Sequence, residues 1–126
     1  MANRGAGGKR EDLGNIFFRS KWEANYARYL KWLVGKGELT GWLYEVDEFE
    51  FKTIKKGTRF YKPDFKVWHN DGSIVYHEVK GWNDSKSQTR AKRMAKYYPD
   101  VKIILIDKDW FKAANKQLAR LIPNWE

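Results

Sequence analysis

Two alternating stretches, RFYKPDFKVWH at 59–69 and SIVYHEVK at 73–80, are separated only by Asn70-Asp71-Gly72. Three residues ending in glycine make a hairpin loop whose glycine takes the left-handed backbone position. Such a turn fixes the register. If His69 and Ser73 close it, Val67 faces Val75, Phe65 faces His77, Asp64 faces Glu78 and Lys62 faces Lys80. A slip of one residue would turn every side chain to the opposite face, so the rest of the chain must be arranged around this antiparallel pair.

Upstream, Trp22, Tyr26, Tyr29, Leu30 and Leu33 recur at helical spacing from Ser20 until Gly35 and Gly37 interrupt them. Thr40 to Phe51 is rich in aromatic and β-branched residues and predicts one or two strands, with a turn at 55–57. Downstream, the spacing predicts a helix over about 85–98 with Ala91, Met94, Ala95 and Tyr98 inward. VKIILI at 101–106 then reads as a strand buried on both faces. The helix between provides the crossover that lays this strand parallel to 73–80. A last helix from about Asp109 is expected to bury Trp110, Ala114, Leu118 and Leu121 before Pro123. The predicted order is αβββαβα. Residues 1–13, with Gly beside Arg4, Lys9 and Arg10 and no periodicity, read as a flexible basic arm, and 14–126 as one domain.

Charge narrows the partner. Twenty-five Lys and Arg against sixteen Asp and Glu leave +9, a field that attracts polyanions, nucleic acid first among them. Without cysteine there is no thiolate nucleophile and no zinc ribbon, and two histidines give little support to a zinc-based nuclease. No Gly-x-x-x-x-Gly-Lys loop is present, so no nucleotide cofactor is expected. No apolar run approaches a membrane span and no signal-peptide core is visible, so no membrane partner and a cytoplasmic location are expected.

The period of two puts Glu78 and Lys80 on one face of their strand, with Val75, His77 and Val79 on the other. Asp64 joins the face of Glu78. Opposed carboxylates repel unless a positive charge stands between them. A divalent cation meets that need, because magnesium takes one or two carboxylates, keeps several waters, and can activate one against a phosphate. Pro63 lacks a ladder donor, so the chain is expected to bend there and aim Asp64. The same residues are also consistent with a solvated ladder of Asp64, Glu78, Lys62 and Lys80 on an exposed hairpin face.

Pro63-Asp64, then Glu78-Val79-Lys80, behind a helix carrying Glu23, resembles the PD-(D/E)XK nuclease superfamily from about Phe18 to Asp107. The resemblance implies an α/β fold with a restriction-endonuclease-like αβββαβ core: a mixed central sheet flanked by helices, here with a C-terminal helix added. It further implies a DNA endonuclease in which Asp64 and Glu78 ligate Mg²⁺, or Mn²⁺ in its place, with the Val79 backbone carbonyl as a further ligand. Lys80 matches the catalytic lysine, and Glu23 the helix acid that completes the site directly or through a metal-bound water. Ser20-x-x-Glu23 is equally a capping box, and both roles can coexist. Helix acid, small size and basic arm together are similar to phage and archaeal Holliday-junction resolvases. That likeness implies a homodimer acting on four-way DNA, in the host cytoplasm if the protein is phage-encoded. The alternatives are a monomeric nicking or flap endonuclease, a nuclease subunit of a recombination complex, and a DNA-binding module that does not cut. Arg4, Lys9, Arg10, Arg19, Lys21, Lys55, Lys56, Arg59, Lys86, Arg90 and Arg93 are the candidate DNA contacts.

Overall fold

A computed structural model describes residues 7–79 and 85–126. In chain order its elements are β1 (Gly8–Arg10), β2 (Ile16–Phe18), α1 (Lys21–Gly35), β3 (Gly41–Tyr44), β4 (Phe49–Glu50) and β5 (Phe60–Tyr61). They continue with β6 (Phe65–Trp68), β7 (Ile74–Val79), α2 (Ser85–Tyr97), β8 (Ile103–Ile106) and α3 (Lys108–Leu121). The architecture is mixed α/β. A central sheet of order β3-β6-β7-β8 is antiparallel except for its last pair, and β1-β2 and β4-β5 form separate two-stranded ribbons.

The hairpin closes as its turn residues require. The His69 N–H donates to the Ser73 carbonyl at 2.9 Å, Gly72 sits at φ +89°, and the Asp71 carboxylate accepts from the Ser73 N–H at 2.9 Å. Phe65 consequently pairs with His77 and Val67 with Val75. The sequence after β7 can return only by a crossover, and α2 supplies it, laying β8 parallel with Glu78 beside Leu105.

Helix α1 starts because the Ser20 hydroxyl accepts from the Glu23 N–H at 3.1 Å. Its Ala24, Ala27 and Leu30 are fully buried together with Phe18, Phe65 and Val67. Burying a side chain of the size of Leu30 or Phe65 stabilises the fold by about 1.5–3 kcal/mol relative to leaving it in water. Phe111 of α3 completes this layer. On the opposite face Phe51, Tyr61 and Met94 form a second, smaller cluster with Phe49, Tyr97, Tyr98 and Ile103. The sheet is thus covered by α1 and α3 on one side and by α2 with the β4-β5 ribbon on the other.

Several expectations need correction. Within the stretch read as a flexible arm, Gly8–Arg10 pairs with Ile16–Phe18, and Leu13, in the single helical turn between them, is buried. The run 59–69 is no continuous strand: Tyr61 pairs with β4, whereas Phe65 pairs with β3 and β7. Strand β8 is not buried on both faces, since it ends the sheet and leaves Ile104 44% and Leu105 41% exposed. An apolar run records the sheet's interior but not where the sheet stops. Helix α3 is capped by Asp107, not started at Asp109, and buries Phe111 and Leu118 while Leu121 is exposed. Ala95 of α2 also faces outward. No helix among the described residues is long and apolar enough to cross a membrane.

Candidate active site

The site forms where one strand run changes sheets. Between Tyr61 on β5 and Phe65 on β6 the chain passes through Lys62-Pro63-Asp64, and the missing N–H of Pro63 costs no ladder bond at this break. Pro63 is buried and Asp64 is only 3% exposed. Backbone contacts hold Asp64 on both sides: its carbonyl accepts from the Glu45 N–H at 2.8 Å, and its Oδ2 accepts from the Val79 N–H at 2.8 Å. The Asp64 N–H in turn points at Glu78 Oε1, 3.3 Å away, and the Tyr61 hydroxyl donates to that oxygen at 2.9 Å. Asp64 and Glu78 are therefore neighbours across the β6-β7 end, where the turn register places them.

Glu23 enters from α1 and is 5% exposed. Its Oε1 accepts from the Tyr44 hydroxyl at 2.5 Å and from the Arg19 N–H at 3.3 Å. Arg19 is the cation of the cluster. Its guanidinium pairs with Glu45, lies 3.3 Å from Asp64 Oδ1, and approaches Glu23 at 3.9 Å.

Among the described residues, Arg19, with Arg90 acting on Glu78 from α2, stands against Asp64, Glu78, Glu23 and Glu45, which leaves an excess of negative charge. Burial pushes the Asp64 carboxyl well above the usual carboxylate range, and the charges of Glu78 and Glu23 add to that, against the Val79 N–H and Arg19. Glu78 is raised as well, by burial first, although the Tyr61 hydroxyl, the Asp64 N–H and Arg90 oppose the shift. Burial and the Glu23 hydrogen bond raise the Tyr44 hydroxyl, while burial and Glu78 raise that of Tyr61. Both tyrosines stay protonated donors near neutrality.

Hard oxygen donors with raised carboxyl pKa values suit a divalent cation, which would relieve the repulsion that proton uptake otherwise relieves. Asp64 and Glu78 are the residues that would hold Mg²⁺ or Mn²⁺. No group of three or more acidic or imidazole side chains gathered as a metal cage occurs among the described residues. Magnesium needs none, since it is usually bound through one or two carboxylates and keeps its remaining waters.

The other expected site residues separate into groups. Lys80 and Arg4 lie outside the described residues. Lys9, Lys55, Lys56, Arg59 and Lys86 are exposed, and Lys21 is half-buried at the start of α1. Four arginines are not the free surface cations expected. Arg10 pairs with Glu126 at 2.6 Å, Arg19 belongs to the carboxylate cluster, and Arg93 donates to the Thr58 carbonyl. Arg90 donates to the Ser87 hydroxyl at 3.0 Å and lies over the Tyr61 ring. A guanidinium on a flexible stem finds acceptors within the fold whenever they are in reach, and helical spacing does not reveal them. Sequence reasoning missed Tyr44, Glu45 and Tyr61. Tyr44 lies opposite Phe65, a pairing that no short turn announces.

A family model described as "Protein of unknown function (DUF1064)" matches residues 6–113, a span that contains Glu23, Asp64 and Glu78. No curated protein and no solved structure matches the chain.

Proposed function

We propose that this chain, which belongs to the DUF1064 family, is a divalent-metal-dependent DNA endonuclease with its active site at Asp64 and Glu78. The observation that carries this reading is the pairing of these two carboxyls across the β6-β7 end, both with raised pKa values. Structural carboxylates normally find cations or several donors and move the other way. A pair whose pKa values stay raised in spite of such partners is the mark of a site that completes itself with a cation and a substrate. The mixed sheet with helices on both faces and the α1-borne Glu23 agree with a restriction-endonuclease-like core and with the PD-(D/E)XK assignment.

A bound Mg²⁺ supplies Lewis-acid polarisation of the phosphate and a more acidic water. The chain's own groups do the rest. Asp64, fixed by the Val79 N–H, and Glu78, fixed by Tyr61, hold oxygen donors at the β6-β7 end. Glu23, held by Tyr44, sets the charge beside them, and Arg19 is placed to move from Asp64 to an incoming phosphate oxygen. Lys80, next in sequence to Val79, is assigned the lysine role on the strength of the motif.

The substrate class proposed is branched DNA, with a homodimer placing two sites about a two-fold axis for paired cuts at a four-way junction. Supercoiled plasmid, four-way, flap and linear DNA incubated with Mg²⁺, Mn²⁺ or EDTA, with light scattering for the assembly, tests the proposal. Metal-dependent cutting that favours the junction, by a dimer, is expected. Equal cutting of all substrates by a monomer removes the junction assignment, and no cutting in any metal removes the nuclease.

A further inference from the structure

With four candidate arginines engaged inside the fold, the cations left for a polyanion lie partly where sequence analysis did not look. Along α3, Lys108, Lys112 and Lys116 recur every four residues, all exposed. None forms an ion pair with another described residue. Together with Lys21 they line a groove of about 660 Å³ between α1 and α3. Trp22 and Phe111 line it too, their rings stacked with centroids 4.6 Å apart, which makes that wall rigid.

Two acids also border the groove. Glu126 is already neutralised, by Arg10 at 2.6 Å and Arg28 at 2.8 Å, which leaves Asp109 against four lysines. Like charges at i and i+4 weaken a helix, so the row has a cost in the free chain that an anionic partner removes. Each i to i+4 step rises about 6 Å, so Lys108 to Lys116 extends about 12 Å, the axial rise of roughly three to four phosphates along one strand. Ammonium groups are compact charges on flexible stems, suited to phosphates and unable to read bases bidentately. Lys21 stands two residues before Glu23, about 200° around α1, so the groove and the carboxylate site lie on different faces at the N-terminal end of this helix.

We propose that the α1-α3 groove is a second DNA-contacting surface, which takes the sugar-phosphate backbone of the duplex beyond the segment held at Asp64 and Glu78. The inference rests on the reading of DNA as the substrate, but not on cleavage.

Fluorescence anisotropy of labelled duplex DNA, measured in EDTA across a salt series, tests it without catalysis. For Lys112→Gln/Lys116→Gln the slope of log affinity against log salt should fall by roughly 2, about 0.9 per lost phosphate contact, equally for unrelated sequences. Lys112→Arg/Lys116→Arg should restore it. Both pairs are exposed, and melting curves establish that each variant is folded. An unchanged slope in the glutamine variant overturns the proposal, as does wild-type protein that binds anionic phospholipid vesicles in preference to DNA. Cleavage with an unchanged slope defeats the groove alone. A lost slope in a protein that never cuts upholds the groove and defeats the nuclease.

Discussion

Glu23 serves the helix and the site with different atoms. Its backbone N–H closes the cap on Ser20, whereas its carboxylate accepts from Tyr44 and Arg19 and does not close back on the cap residue. Only the first half of a capping box is therefore formed. Glu23→Gln keeps the backbone bond and an acceptor oxygen but removes a charge that pushes on Asp64. Melting temperature should hold or rise, while cleavage falls roughly 10- to 100-fold, the usual scale for a supporting residue at a metal site. Full activity in this variant would show that the Glu23 charge is no part of the site. His77 provides the pH prediction. Burial, with a smaller contribution from His69, pushes its imidazole down to about 4, and Nδ1 shares a 2.7 Å hydrogen bond with the Tyr26 hydroxyl. Because the folded value lies below the ordinary 6.5, its stabilisation is complete above that pH and is lost as pH falls toward 4. The loss is on the order of 3 kcal/mol. Asp64 acts in the opposite sense: its contribution is complete below the ordinary 3.8 and is lost as pH rises from there through its raised folded value. Melting curves of wild type and His77→Phe between these pH limits should diverge, with the acid decline flatter in the variant. Parallel declines would exclude His77 as their source.

Among the elements, the β6-β7 hairpin was the most legible, because three turn residues fix a register that then propagates by a period of two. That register alone brought Asp64 to Glu78. Gly72→Ala tests it: at φ +89° an alanine should cost about 1–2 kcal/mol of stability. Cleavage by the folded variant should persist. Loss of activity at temperatures where it remains folded would mean that the turn also sets the register under strain. What the hairpin does not fix was harder to read. Strand β3 arrives from α1 and the loop after it and pairs with β6 without a short turn between them, so Tyr44 stayed hidden. The 59–69 alternation ran unbroken across Pro63 although the chain changes ribbons there, since alternation records which side is apolar and not which strand is the neighbour. In α3 Leu118 is buried as expected and Trp110 packs against the core, but Phe111 was not anticipated and Leu121, in the last turn, faces outward.

At the scale of the molecule, the +9 charge led to the expectation of a polyanionic partner but pointed to no surface that would meet it. Arg10 and Arg28 hold Glu126, and Arg28 also holds Asp12, so part of the basic excess fastens β1 and the C-terminal residues to α1. Free cations remain on α3. The carboxylate cluster draws on four separate segments: Asp64 before β6, Glu78 on β7, Glu23 on α1 and Glu45 after β3. Among the described residues its excess negative charge is a property of the assembled fold that no local pattern contains. The central claim is that this cluster cuts DNA. Its most direct measurement is the conversion of supercoiled plasmid to nicked or linear product in Mg²⁺ by wild type and Asp64→Asn, prepared identically. Asparagine retains an oxygen for the Val79 N–H and removes one repelling charge, so the variant should fold as well and bind DNA at least as tightly. Metal-dependent product from wild type and none from the variant is the predicted result; equal product from both, or none from wild type, contradicts it.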